Sequence, residues 1–385
     1  MANNIAVLDQ VEVPRGLKNV VVADTEVGDV RGQEGFYHYR QYSAVELARS
    51  RPLEDVWQLL IDGALPKTLG ERAAFADEIR ALQSIPPLLS SVLPSIARAS
   101  QPLEGLRTAL SLAAAEHQCR PVYDIGEAER RADALFVAAV TPAILTGLGR
   151  LRAGHDPIPP RSDLDYAANY LWMLTGDEPV PLHADALKHY LVSTIDHGFN
   201  ASTFTARVVA STGADMGACV VGAIGALSGP LHGGAPSRAL ELLDLIRTPD
   251  RARSVVTELV QSGDRIMGFG HAVYKTDDPR SVMLRDVARR LGGPLVDLAV
   301  DVEQTVVDVL AELKPGRQLY ANVEFFAGVV MAQCGVPPEM FTPTFASSRV
   351  IGWTANVLEQ ARDPKIIRPS ARYVGPPAPR AVPLL

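Results

Sequence analysis

The sequence predicts a mainly α-helical protein with one small β-hairpin near its start, and three observations predict it. Apolar residues recur at helical spacing from residue 43 onward. No strand–helix–strand alternation appears, which counts against nucleotide-binding α/β folds. The single β-type pattern lies in 20–42, which contains VVADTEVGDVRGQEGFYHYRQY, where apolar alternation surrounds glycine turns.

Taken in order, residues 1–15 read as a loose lead. They hold no basic start followed by an apolar core, so no secretory signal is expected. Ser43 is a good helix N-cap, and Glu46 three residues on suggests a capping box. In LEDVWQLLIDG, Leu53, Val56, Leu59 and Leu60 share one face and Gly63 marks the stop. Segments 69–83 and 102–117 are amphipathic. GEAERRADALFVAAVTPAILTGLGRLRAG is a long helical pattern in which Pro142 marks a kink or a break.

A polar, proline-rich linker covers 154–160, and helical signal resumes at Asp163 and again at His183. Residues 185–227 read as two or more helices separated by HGFNAS; small residues dominate there and permit close helix contact. The most apolar run, 216–231, is shorter than the roughly 20 residues a membrane span needs, so a buried helix and no membrane association are expected. Further helices are expected over 237–246, from Asp278-Pro279 to Gly292-Gly293, over 294–314, after Asn322 and after Ser347. Asp at the N-cap with Pro at the first helical position is a strong start signal. The proline-rich end, GPPAPRAVPLL, is expected to form an extended arm.

Composition bounds the function. A chain of 385 residues, 47% hydrophobic and 21% charged, can bury a large core in one to three domains. The net charge of −7 argues against nucleic acid as a partner. An anionic ligand would need a local basic pocket. Cys119, Cys219 and Cys334 are far apart, without metal spacing or an even disulfide framework. No metal site and a reduced, cytoplasmic setting are therefore expected. No GxxxxGK[ST], HExxH or GxSxG motif is present, and Gly268-x-Gly270 lacks a third glycine and a preceding strand.

Four polar stretches ask for more than packing: DHGFNAS (196–202), GPLHGGA (229–235), GFGHAVYKTDDPR (268–280) and a C-terminal set of NVEFF (322–326), SSRVIGW (347–353) and RPSARYVG (368–375). Together they supply three histidines, four carboxylates and several arginines. That inventory suits proton abstraction from a weak carbon acid beside an anionic substrate. His232 and His271 sit in glycine-rich turns rather than on an apolar helical stripe. His232 also precedes a helix start near Pro236, where the positive dipole end favours a neutral imidazole.

These segments resemble the signatures of the citrate synthase family, in the same order and spacing, from about residue 20 to 375. The resemblance implies a helical two-domain homodimer: residues 1–232 and 336–385 in a large domain, 233–335 in a small one, with the site in the cleft and completed by domain closure. It implies the condensation of acetyl-CoA with oxaloacetate to citrate, the reaction that opens the tricarboxylic acid cycle, with acetyl-CoA as co-substrate and no cofactor. His232 then matches the histidine that bonds the thioester carbonyl. His271 matches the one that bonds the oxaloacetate carbonyl, and His197 a further oxaloacetate ligand. Arg280, Arg349 and Arg368 match the carboxylate-binding arginines, Arg368 reaching into the partner subunit's site. Arg265, Gly268, Gly270 and Lys275 match the CoA-binding segment.

Three positions depart from the family pattern. The base is usually an aspartate, and here the position holds Glu324. The extra methylene moves the carboxylate by on the order of 1.5 Å if nothing else shifts, and a misplacement of that size can cost about a hundredfold in rate. Gln41 stands where a glycine is common, and Ser370 where a second arginine is. The resemblance leaves open 2-methylcitrate synthase, which uses propionyl-CoA, and a catalytically weak ligand-binding relative.

Overall fold

The structure, a computed structural model, describes residues 11–230, 232, 236–271, 273–317 and 319–383, with backbone alone for 236–238. Most of the 1–15 lead and most of the turn after Gly229-Pro230 thus lie outside the described residues, although His232 itself is described.

The β element is a three-stranded antiparallel sheet of β1 (Gly28–Arg31), β2 (Phe36–Tyr39) and β3 (Tyr42–Ser43), paired in that order. It is shorter than the hairpin expected over 20–42 and gains a strand, because the chain reverses again after Tyr39. Arg40 makes that reversal at φ +49, so the turn that contains Gln41 closes without glycine.

The helices follow local rules where those rules are strong. α1 (Ala44–Ser50) is capped by Ser43, whose Oγ accepts the Glu46 N–H. The Glu46 carboxylate pairs with Arg49 instead of turning back, so only half of the capping box forms. α2 (Leu53–Asp62) buries Leu53, Val56, Leu59 and Leu60 and ends at Gly63, φ +83. α3 (Leu69–Arg80) follows. α4 (Pro87–Ala99) was not expected: prolines at 86, 87 and 94 hide the buried Leu89–Leu93–Ala97 period, yet Pro87 occupies the first turn, where a missing N–H costs little.

After α5 (Pro102–Glu116), α6 (Glu127–Arg152) runs through Pro142 as one helix, so the break does not form. α6 is the one described helix long and apolar enough to cross a membrane by length and composition. Its 134–148 stretch is buried against α4 and α5. Then come α7 (Tyr166–Thr175), α8 (Pro181–Thr194), α9 (Ala201–Ser211), α10 (Met216–Leu227) and α11 (Pro236–Ile246). α12 (Ala252–Gln261) was also not expected. α13 (Pro279–Leu291) starts at the Asp278 cap, and α14 (Pro294–Leu313) follows the paired glycines. α15 (Val323–Gln333) starts at Asn322.

α16 (Phe341–Gln360) begins before Ser347, not after it. Pro343 lies in its first turn and removes an N–H that has no helical partner there. α16 is buried along most of its length and packs against α6, α8, α9 and α2. α15 packs against α13, α11, α8 and α14. Residues 363–383 form no helix or strand, as their prolines predict.

Candidate active site

A cleft of about 740 Å³ opens where the first turns of α9, α13 and α15 meet α16, residues 265–271 and 273, and strand β1. Three helix N-termini directed at one space favour anionic ligands. His197, His232, His271, Arg265, Gly268, Gly270, Arg280, Glu324 and Arg349 all line the cleft. Lys275 and Arg368 do not. Lys275 is exposed and its N–H bonds Gly32 O. Arg368 lies exposed on the C-terminal arm, next to Ile367, whose N–H bonds Ser211 Oγ.

Local bonds set the histidine tautomers. His271 Nδ1 accepts the N–H groups of Val273 (3.0 Å) and Tyr274 (3.1 Å), which leaves the ring proton on Nε2. His232 Nε2 accepts the Ser202 N–H at 3.3 Å, leaving its proton on Nδ1. Ser202 Oγ sits 2.8 Å from the same nitrogen and accepts the Trp353 Nε1–H. Burial and, secondarily, Arg349 push the His232 pKa to about 4. The neutral imidazole is therefore as expected, but its cause is burial and Arg349. Among the described residues, the helix start that it touches is that of α9. Burial and then Arg280 bring His271 to about 4 as well. His197 is lowered further by burial, Arg280 and His271; its Nε2 lies 3.0 Å from Tyr274 Oη, and its ring meets His271 edge-on at 5.5 Å.

The two arginines that reach the cleft differ. Arg280 is buried and held by Asp278 through Nε (3.0 Å) and Nη2 (2.7 Å), with Nη2 also 3.3 Å from His271 Nε2. Arg349 donates Nε to Thr194 O at 2.7 Å and makes no salt bridge among the described residues. Its guanidinium lies 4.5 Å over the Phe345 ring. Burial lowers the Arg349 pKa from its ordinary value against the opposing pull of the buried Asp196 carboxylate.

Glu324 stands in the first turn of α15, where Asn322 Oδ1 accepts its N–H. Burial raises its carboxyl to about 7 against the opposing pull of Arg280. The glycine loop holds this turn in place. Gly270 N–H bonds Tyr320 O, Asn322 N–H bonds Gly268 O, and Asn322 Nδ2–H bonds Gly270 O. Gly268 and Gly270 both take φ +84, and a Cβ on Gly270 would come within 2.8 Å of Leu319. The glycines thus serve the backbone path that links His271 to Glu324.

A base must be ionised to act. With Glu324 at about 7 and the histidines at about 4 or below, kcat/KM is expected to rise through one ionisation near pH 7 and then level. A pH–rate profile limited instead by a group near 5, or a limb near 7 that stays unmoved in Glu324→Asp, would contradict this assignment.

Sequence reasoning missed Asp278, Tyr274, Ser202 and Phe345 as parts of the site. Asp278 was legible as a helix cap only, and the other three lie inside or beside the polar stretches without a distinguishing local signal.

A family model described as "Citrate synthase, C-terminal domain" matches residues 16–370. The chain is 37% identical to a citrate synthase of Deinococcus radiodurans over 94% of this chain and 96% of that one. It is 34% identical to a 2-methylcitrate synthase of Shewanella oneidensis, over 96% of each. Its fold superposes on a citrate synthase of Thermoplasma acidophilum, solved as a ternary complex with carboxymethyl coenzyme A and oxaloacetate, with a TM-score of 0.88 at 28% identity, covering 97% of this chain and 98% of that one.

Proposed function

The chain belongs to the citrate synthase family, and from that premise we propose that it condenses acetyl-CoA with oxaloacetate to give citrate and CoA. Enzymes of this type are acyltransferases. The observation that carries the reading is the convergence of a buried carboxylate near pKa 7, two neutral histidines with assigned N–H groups and two buried arginines on one cleft.

Glu324 takes a proton from the acetyl methyl group, and the thioester oxygen, as it gains charge, accepts a hydrogen bond from His232 Nδ1–H. A neutral donor near pKa 4 stabilises that oxygen without needing to be charged. The methyl carbon then bonds to the carbonyl carbon of oxaloacetate. The carbonyl oxygen becomes a hydroxyl, drawing its proton from His271 Nε2–H. Water cleaves the citryl thioester, releasing citrate and CoA. Arg280 and Arg349 hold oxaloacetate carboxylates, with His197 as a further ligand. Arg265 and the 268–270 loop face CoA. No cofactor takes part.

CoA release from acetyl-CoA is expected to depend strictly on oxaloacetate, read by thiol release. Equal release without oxaloacetate would mean a simple thioesterase. The same assay with propionyl-CoA addresses the second reading, which the resemblance to a 2-methylcitrate synthase favours. One methyl group is worth only about 1–3 kcal/mol in a pocket, so the kcat/KM ratio for the two acyl groups decides between them.

In this proposal the protein is a homodimer, the segment 233–335 closes over the cleft, and Arg368 serves the partner subunit's site. The exposed position of Arg368, away from the cleft of its own chain, motivates the last point. Mixed dimers of Arg368→Ala and His271→Ala chains, each inactive alone, should regain activity because one site in each dimer is then intact. Verified heterodimers without activity would refute the shared site.

A further inference from the structure

The Asp278 carboxylate accepts four hydrogen bonds. Oδ1 takes the Arg280 backbone N–H and Nε–H, both at 3.0 Å; Oδ2 takes Arg280 Nη2–H at 2.7 Å and the Val323 N–H at 3.1 Å. The residue is 1% exposed. Helix capping accounts for one of these bonds. Two more hold the Arg280 side chain within α13, and the fourth, from the Val323 N–H, joins the first turn of α13 to the first turn of α15, one residue before Glu324.

This junction meets a conflict in the site. A buried arginine is needed to hold a substrate carboxylate, yet its charge favours the ionised form of any nearby base and so weakens that base. A carboxylate set against the guanidinium turns a lone positive charge into a short dipole, whose field falls off faster than that of a charge. We infer that Asp278 is a positioning residue for the reaction: it braces α13 against α15 and screens Glu324 from Arg280, so that the arginine can hold oxaloacetate without disarming the base. The inference rests on Glu324 being the base.

Electrostatics agree in sign, since Arg280 pulls the Glu324 carboxyl down and Asp278 pushes it up. Arg349 of α16, Tyr190 of α8, Asp29 of β1, Arg265, and His197, His232 and His271 are the other ionisable groups at the cleft among the described residues. Burial leaves the three histidines and Tyr190 neutral at pH 7. Among the described residues, no charge on α11 or α14 acts on Glu324.

Carbon-13 labelling of glutamate carboxyls gives the Glu324 titration by NMR, with the Glu324→Gln protein identifying its signal. Asp278→Asn is expected to lower that titration by roughly one pH unit and to move the rising limb of kcat/KM with it. Asp278→Glu, which keeps the charge, should stay near the parent titration. A purely structural cap would lower activity and leave both titrations where they were, and that result would overturn the inference. If Asp278→Asn does not fold, Arg280→Met/Asp278→Asn leaves no buried charge of the pair unmatched. Its Glu324 must then titrate near the parent value, because a screened pair exerts little net pull; a rise of about one pH unit, the release from an unscreened Arg280, overturns the inference. The base reading fails separately: unchanged turnover in Glu324→Gln would remove Asp278 from the reaction even if the NMR shift is found.

Discussion

Replacing Glu324 with glutamine is expected to lower kcat by about two to four powers of ten, with oxaloacetate affinity little changed. The acetyl methyl proton is barely acidic, so the reaction needs a base, and Glu324 is the one carboxylate among the described cleft-lining residues besides Asp29 of the β1 edge. Glutamine keeps the shape and loses the proton acceptor. The arginines and His271 are untouched, which is why the effect should appear in kcat. Glu324→Asp is the sharper measurement. If α15 is placed for the longer side chain, shortening it reduces activity; if the glutamate is a handicap in a frame built for aspartate, shortening it raises activity. Steady-state kinetics of both variants give the answer, and an unchanged kcat in Glu324→Gln would take this residue out of the mechanism.

Arg349→Leu is expected to raise KM for oxaloacetate by about two to three powers of ten. A unit charge pair at 4 Å is worth about 4 kcal/mol at an effective dielectric constant near 20, which is about a thousandfold in affinity. Arg280 is already matched by Asp278, whereas Arg349 has no ion-pair partner among the described residues and faces the cleft. Arg349 should therefore supply the larger share of net attraction for a dianion. The two arginines should also differ in stability. Arg280→Leu strands the buried Asp278 carboxylate and should cost about 3–5 kcal/mol, seen as a lower Tm. Arg349→Leu breaks no direct ion pair among the described residues, and the Asp196 carboxylate that it faces keeps hydrogen bonds from Gly198 and Asn356, so its Tm should fall less. Equal KM changes with equal losses of Tm would show that the pairing seen at Arg280 does not separate the two residues.

Much of this was legible in the sequence because the deciding interactions are short in range. Helix ends are set by side chains within about four residues of the terminus. So Ser43, Gly63, Asp278-Pro279 and Asn322 could be read as caps and stops, and each is one. The polar segments around His197, His232, His271 and Glu324 could be read as one constellation because residue types and spacing carry the family resemblance, and the fold brings all four to the same cleft.

Other features were settled by contacts between distant parts of the chain. Prolines at 87, 142 and 343 look alike as helix breakers, yet all three lie within helices. Those at 87 and 343 lie in first turns, and the one at 142 is held by burial. Arg280, Arg349 and Arg368 are equivalent as letters; the structure makes the first a paired cation, the second an unpaired one and the third a residue outside its own cleft. The protons on His232 and His271 are assigned by backbone N–H groups, one of them 30 residues away. The sequence alone determined where the helices with clear caps start and which chemical groups the site could draw on, because caps and motifs act along the chain. The tertiary structure alone decided which of those groups are charged, paired and exposed to the cleft, because burial and ion pairing depend on neighbours that the chain order does not reveal.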